Sequence, residues 1–390
     1  MNYNFDEIID RTNSNSVKYD LRETIFKTDD VIPMWVADMD IKTPDFIINA
    51  IKKRLNHEIL GYTFRGEEFN NSVISWMKKI HNWEIKNNWI SFSPGVVPAI
   101  NMSVLAFTDL GDKIIVQPPV YFPFFSAIKD NKRIMLENQL KYEKGVYTID
   151  FQNLESLIDD KVKMIILSSP HNPVGRVWTK TELIRLAKIC TENNILILSD
   201  EIHSDLIFDG YKHIPLASLS SIISDITITC IAPSKTFNIT GLSSSAVIIS
   251  NEKLLDKYNK ILDTLHLGMG NIFGLVALKA AYNDGEEWLN QLMQYLAGNV
   301  SFVRSFLENN MPEVKLVNPE STYLLWLDFS KLGLSNKELN KILINKAKVG
   351  LSDGRVFGKG GEGFQRMNIA CPRSVVEKAM LRIKNALKLK

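Results

Sequence analysis

Between about residues 89 and 250 the chain alternates short strand-like runs with helical stretches, and that alternation leaves few folds open. The strand-like runs fall at 89–92, 113–117, 162–168, 195–199, 226–231 and 245–249. Strands joined through helices run parallel, because the crossover returns the chain to the same end of the sheet, and such a sheet is covered by helices on both faces. One intervening helix is well signalled. Thr179 and Glu182 have the spacing of a capping box, and Leu183, Leu186, Ala187 and Cys190 follow at helical period.

The flanks read differently. Residues 1–43 look irregular, and Thr43-Pro44 then opens a helix to about residue 58, with threonine as N-cap and Phe46, Ile47, Ala50, Ile51 and Leu55 on its apolar face. A second helical stretch covers about 66–81. After about 285 come a long helix near 286–309, a strand-like run at 323–329, a helix near 335–347, a glycine-rich loop, the strand-like run 366–370 and a last helix. A chain of 390 residues suits a large domain with a smaller one. The expected division is a large domain over 49–284 and a small α+β domain built from 1–48 and 285–390.

Three of the strand-like runs lead into polar groups with a chemical use. The run 226–231 leads into Ala232-Pro233-Ser234-Lys235-Thr236-Phe237, the run 195–199 into Asp200, and the run 162–168 into Ser169-Pro170-His171-Asn172-Pro173-Val174-Gly175. In an open α/β sheet the carboxyl ends of strands face the crevice where ligands bind. An amine, a carboxylate and an amide meeting there suit pyridoxal phosphate: the lysine for a Schiff base, the aspartate for the pyridinium nitrogen, the amide for the ring hydroxyl. Each group also has a plainer use. A lysine can snorkel at a strand end, an aspartate can cap the next helix, and Asn-Pro-x-Gly favours turns.

Ser93-Pro94-Gly95-Val96-Val97-Pro98-Ala99 follows the first run and opens an apolar helix, so the Val96 and Val97 amides suit an anion, although an ordinary strand–turn–helix link has the same pattern. Tyr121 suits either the core or stacking on a cofactor ring. Arg366, at the start of Arg366-Met367-Asn368-Ile369-Ala370, suits a surface ion pair or a bidentate clamp on an amino-acid carboxylate. Gly358-Lys359-Gly360-Gly361-Glu362-Gly363 matches a dinucleotide-binding pattern, but it precedes a strand and opens no helix, so a flexible loop near the substrate entrance is expected instead.

The remaining classes are narrowed by composition. A net charge of +2 with interspersed signs gives no nucleic-acid footprint. Cys190, Cys230 and Cys371 are far apart and odd in number, which argues against a disulfide framework and for a cytoplasmic setting. The six histidines lack zinc-ligand spacing, so no metal is expected. Neither a signal peptide nor a membrane-spanning run is read.

Together these motifs resemble the class I/II aminotransferase superfamily of fold-type I pyridoxal-phosphate enzymes, and within it the cystathionine β-lyase (C–S lyase) branch, the MalY/PatB group. The resemblance covers nearly the whole chain. It is carried by Pro33-Met34-Trp35-Val36-Ala37-Asp38-Met39-Asp40, Asn172-Pro173-Val174-Gly175-Arg176-Val177-Trp178, Asp200-Glu201-Ile202-His203, Ser234-Lys235-Thr236-Phe237-Asn238 and Arg366-Met367-Asn368-Ile369-Ala370-Cys371-Pro372-Arg373. It implies a mostly parallel seven-stranded sheet, a small-molecule amino-acid substrate and a homodimer with a shared active site. It implies Lys235 as the Schiff-base lysine, Asp200 at the pyridinium, Asn172 at the ring hydroxyl and Tyr121 and His203 beside the cofactor. Val96, Val97 and Ser234 would hold the phosphate, with Tyr62 reaching it from the neighbouring subunit, and Arg366 and Trp35 would contact substrate.

Two departures from the aminotransferase pattern stand out. His203 replaces a usual tyrosine, which favours the lyase branch, and Ser243 replaces an arginine that puts a positive charge on the phosphate. The implied reaction is α,β-elimination from cystathionine or related S-linked amino acids. An aminotransferase on the same scaffold is the alternative, and a cofactor-bearing regulatory protein comes last, because a binder has no need of Lys235.

Overall fold

The computed structural model describes residues 3–388. At its centre is a seven-stranded sheet made of β1 Ile90–Ser93, β2 Lys113–Val116, β3 Ile134–Glu137, β4 Val162–Ser168, β5 Leu196–Asp200, β6 Thr227–Ile231 and β7 Ser245–Ile248. Their spatial order is β1-β7-β6-β5-β4-β2-β3. Neighbours from β6 to β3 pair parallel, whereas β7 runs antiparallel to both β6 and β1. The expected large, mostly parallel α/β sheet is therefore present.

Both faces of this sheet are buried, which explains why its strands read as continuous apolar runs. Met164 and Ile166 of β4 join one core cluster, while the alternating Ile165 and Leu167 join the other. Five helices matter for the site: α1 Asp45–Leu55, α2 Glu67–His81, α3 Val96–Phe107, α4 Lys180–Glu192 and α5 Ile272–Asp284. α4 begins with the expected capping box and buries Leu183, Leu186, Ala187 and Cys190. α3 covers the opposite face with Ala99, Ile100 and Val104. α5 comes so close to the turn Thr240–Leu242 that a Cβ on Gly274 would lie 2.2 Å from the Leu242 carbonyl oxygen.

The chain order reverses between β2 and β4: from β2 the sheet grows outward to β3, and from β4 it grows the other way through β5 and β6. That is the switch point where open α/β sheets form a crevice. The ends of β4, β5 and β6 are level there, since Ser168 pairs with Asp200 and Asp200 with Cys230.

Several expectations need correction. β3 did not register as a strand, because it is an edge strand whose four residues are all at least partly exposed. Thr43 does not cap α1. Its hydroxyl donates to the Asn238 carbonyl at 3.1 Å, the N-cap is Pro44, and the helix stops at Leu55. The stretch near 335–347 is a helix only over Asn336–Ile342, followed by a single π turn. The strand carrying Arg366 starts at Phe364, so Arg366 lies mid-strand.

A second, antiparallel sheet combines Lys315–Leu316, Leu324–Asp328, Ser352–Asp353 and Phe364–Asn368. The long helix α6 Glu286–Asn310 and the C-terminal α7 Arg373–Leu387 accompany it. Near the N-terminus, Ile32–Pro33 pairs in parallel with Val349–Gly350. Among the described residues no helix is long and apolar enough to cross a membrane.

Candidate active site

The loops leaving the level strand ends bring the predicted groups together. Tyr121 comes from the connection after β2, Asn172 from the turn after β4, Asp200 and His203 from the end of β5, and Ser234 and Lys235 from the segment after β6. With Val96 and Val97 of α3 they line one cavity of about 170 Å³. Asn172 sits in a turn closed by the Gly175 amide donating to the His171 carbonyl at 2.8 Å, and the left-handed φ of 74° at Gly175 is what the turn demands. The turn and the cavity-lining amide are thus the same feature.

An irregular strap, Trp35–Ile41, closes the site. A partly buried segment without a ladder must find partners for its main-chain groups, and here side chains supply them. Asn368 Nδ2 donates to the Val36 and Asp38 carbonyls at 2.6 Å each. Asn238 Nδ2 donates to those of Met39 and Ile41 at 3.0 and 2.8 Å. Arg366 Nη2 donates to the Trp35 carbonyl at 2.9 Å. The strap's carboxylates are held as well: Arg11 pairs with Asp38 and Asp40 at 2.7 and 2.6 Å, and buried Lys18 pairs with Asp40 at 2.8 Å.

Lys235 Nζ donates to the Ala37 carbonyl at 2.7 Å, and the Tyr323 hydroxyl donates to the same oxygen at 3.1 Å. Burial, with Arg366 nearby, lowers the Lys235 proton affinity to about 8 against the opposing pull of Asp38 and Asp200. Asp200 moves the other way. Burial raises it to about 7 despite the Ile202 amide and the Lys235 ammonium, and Glu201 adds to the rise. His203 is lowered to about 3 by burial and by the charges of Lys235 and Arg366, so its ring is neutral. Burial brings Arg366 down to about 10.

A second cavity of about 540 Å³ shares Ala37, Tyr121 and Lys235 with the first and adds Trp35, Phe122, Leu351 and Arg366. Trp35 and Arg366 thus stand on the outer side of Lys235. Tyr62 lines neither cavity and is 98% exposed.

These residues fit pyridoxal phosphate. At one end of the inner cavity stand free first-turn amides of α3 and the hydroxyls of Ser234, Ser243 and Ser244, and the buried Ser244 oxygen has no partner among the described residues. At the other end stands a carboxylate whose burial leaves it in want of a cation. Among the described residues the buried His203 Nδ1 has no partner, and the Asn172 side-chain oxygen is taken by Arg366, which leaves its amide N–H groups to donate. At the position where aminotransferases carry an arginine, Ser243 lines the cavity in a left-handed conformation, and among the described residues Lys235 is the only lysine or arginine lining it.

Sequence reasoning missed Ala37, Tyr323 and Ser244. Ala37 contributes a main-chain oxygen, which no side-chain pattern signals. Tyr323 opens the strand-like run 323–329, and nothing in the sequence sets it apart from the rest of that run. Ser244, beside the flagged Ser243, was the one with a local clue.

The family model for aminotransferases of class I and II matches residues 29–383. Cystathionine β-lyase PatB of Bacillus subtilis (strain 168) is 45% identical over 385 residues, covering 98% of this chain and 100% of that protein. The crystal structure of a pyridoxal-phosphate-bound putative aminotransferase from Clostridium difficile 630 superposes with a TM-score of 0.97 at 49% identity, covering 99% of this chain and 100% of that one. A pyridoxal-phosphate-bound C–S lyase from Staphylococcus hominis superposes with a TM-score of 0.92 at 38% identity, covering 99% and 98%.

Proposed function

The chain belongs to the aminotransferase class I and II family, and from that premise we infer that it catalyses α,β-elimination of L-cystathionine or related S-linked amino acids, giving a thiol, pyruvate and ammonia. It is a pyridoxal-phosphate-dependent carbon–sulfur lyase of the cystathionine β-lyase type. The observation that carries the mechanism is the place of Lys235: it lines both the inner and the outer cavity, its amine is buried, and its proton affinity is lowered to about 8.

When bound, pyridoxal phosphate supplies an electron sink for the charge that develops at the substrate α-carbon. The protein's part is positioning and proton transfer. Val96, Val97 and the Ser234, Ser243 and Ser244 hydroxyls would hold the phosphate end, Asp200 would hold the pyridinium, and Asn172 would donate to the ring hydroxyl. Tyr121 and His203 fill the sides. Arg366 takes the substrate carboxylate in the outer cavity, where Trp35 forms part of the wall. Lys235 Nζ accepts the proton from the substrate α-carbon, a general-base step typically worth about 10²–10⁴-fold. Burial beneath the strap, with the charge of Arg366, lowers the proton affinity of that amine, which makes its neutral form available as the base.

Tyr62 is exposed on a segment that also exposes Ile59, Leu60 and Phe64, in keeping with a homodimer in which it serves the neighbouring subunit's phosphate site. Three free, buried cysteines suit a cytoplasmic protein. The pairing of Ile32–Pro33 with Val349–Gly350 supports a small domain drawn from 1–48 and 285–390 against a large domain of 49–284.

The aminotransferase alternative has less support, since histidine stands at position 203 and a relative named as a cystathionine β-lyase matches nearly end to end. The deciding experiment follows pyruvate and thiol from L-cystathionine with cofactor-loaded protein and no 2-oxo acid. Sustained release of both is expected. A single turnover that a 2-oxo acid resets would make the protein an aminotransferase.

A further inference from the structure

The residues that flank the reactive groups turn away from the cavity and meet behind it. Asp200 and His203 face the cofactor side, while Asp205, a few residues on, faces the other way. Its buried carboxylate collects three donors: the Thr236 hydroxyl at 2.8 Å, the Trp76 indole N–H at 3.0 Å and His81 Nε2 at 2.8 Å. Thr236 is fully buried and is the residue next to Lys235. Trp76 and His81 belong to α2, so the carboxylate joins its own loop to two other segments, α2 and the loop after β6. Glu201, next to Asp200, is anchored in the same way by the Ser199 hydroxyl at 2.8 Å, the Leu216 amide at 3.1 Å and His213 Nε2 at 2.9 Å. The His81 and His213 rings meet edge to face at 5.5 Å.

We propose that Asp205 is a positioning residue for the reaction: through Thr236 it ties the loop that carries Lys235 to the loop that carries Asp200 and His203, and so fixes the lysine amine relative to the pyridinium partner. The inference rests on Lys235 being the reactive amine. Physically, the two loops leave adjacent parallel strands and share no ladder beyond the strand ends, so their relative placement needs a tie. A buried carboxylate with three converging donors is a stiff one, because moving either loop would break a hydrogen bond that water cannot replace there.

The test removes the hydroxyl alone. Thr236→Val keeps the shape and deletes the donor, Thr236→Ser keeps the donor, and Thr236→Ala serves if the valine variant does not fold. Two readouts are needed. The first is kcat and KM for L-cystathionine, where the hydroxyl-free variant should lose about tenfold in kcat with KM within about twofold, as expected of a displaced reacting group, and the serine variant should recover most of the loss. The second is the pH midpoint of Lys235 labelling by an amine-selective reagent in cofactor-free protein, read by peptide mass. It should rise in Thr236→Val or Thr236→Ala as the lysine loop loosens toward water, and stay near the parent value in Thr236→Ser. Labelling does not depend on the substrate, so failure of the lyase assay leaves this readout intact. An unchanged midpoint and kcat in the hydroxyl-free variant, or equal losses in the serine variant, would overturn the proposal.

Discussion

Arg366 donates from Nη1 to the side-chain oxygen of Asn172 at 3.0 Å, joining the residue assigned to the substrate carboxylate to the one assigned to the cofactor ring. The two stand 194 positions apart in the chain, Asn172 in the turn after β4 of the large sheet and Arg366 within a strand of the second sheet. Because Arg366 takes the oxygen, the Asn172 amine is the part left to donate into the cavity. Arg366 Nε has no partner among the described residues, so the guanidinium still has a donor to offer a carboxylate.

Arg366→Lys should therefore raise KM by roughly 10- to 100-fold, because an ammonium cannot keep Asn172 and the Trp35 carbonyl and also grip a carboxylate with a planar fork. Steady-state kinetics on L-cystathionine check this. An unchanged KM would move substrate binding elsewhere.

Lys235→Ala should lower turnover by at least about 10³-fold, since it removes the base in the cavity. Pyruvate release measures it, and a thermal melt shows that the fold survives. Wild-type-like activity would remove Lys235 from the mechanism.

Asp200 predicts a pH-dependent stability in cofactor-free protein. Burial holds its folded-state value near 7, above the ordinary carboxylate value of 3.8. The folded chain then binds the extra proton between about pH 4 and 7, so the Asp200 contribution falls as pH rises through that window, by at most on the order of 4 kcal/mol. Urea unfolding at pH 5 and pH 7.5 should show wild type losing stability relative to Asp200→Asn. Cofactor loading should reduce the loss, because a pyridinium beside the carboxylate favours its charged form. Parallel profiles for the two proteins would contradict the assignment.

Arg176, within the Asn-Pro-Val-Gly-Arg-Val-Trp motif, has a structural task. It pairs with Glu320 at 2.9 Å and with Glu182 at 3.1 Å, and donates to the Tyr147 carbonyl. Arg176→Met would leave two half-buried carboxylates without their cation and should cost about 3 kcal/mol in denaturant unfolding. Activity per folded molecule should hold.

The fold class was legible early because a sheet buried on both faces writes its strands as apolar runs, as in 162–168. The edge strand Ile134–Glu137 was not legible, because with solvent on one side it needs no such run. At Thr43, local cap chemistry pointed to the helix, but the Asn238 carbonyl took the hydroxyl, a partner 195 residues away.

The site divides along the same line. The residues proposed to act through a distinctive side chain at a strand end, Lys235, Asp200 and Asn172, are legible in the chain, since amine, carboxylate and amide are residue identities. What tertiary structure alone decided is how each behaves: the Ala37 carbonyl beside the lysine, the Arg366 contact that orients Asn172, the Asp205 tie behind them, and the burial that moves Lys235 and Asp200 toward each other. Main-chain acceptors and desolvation carry no residue code; they arise only when distant segments close over one another and shut out water.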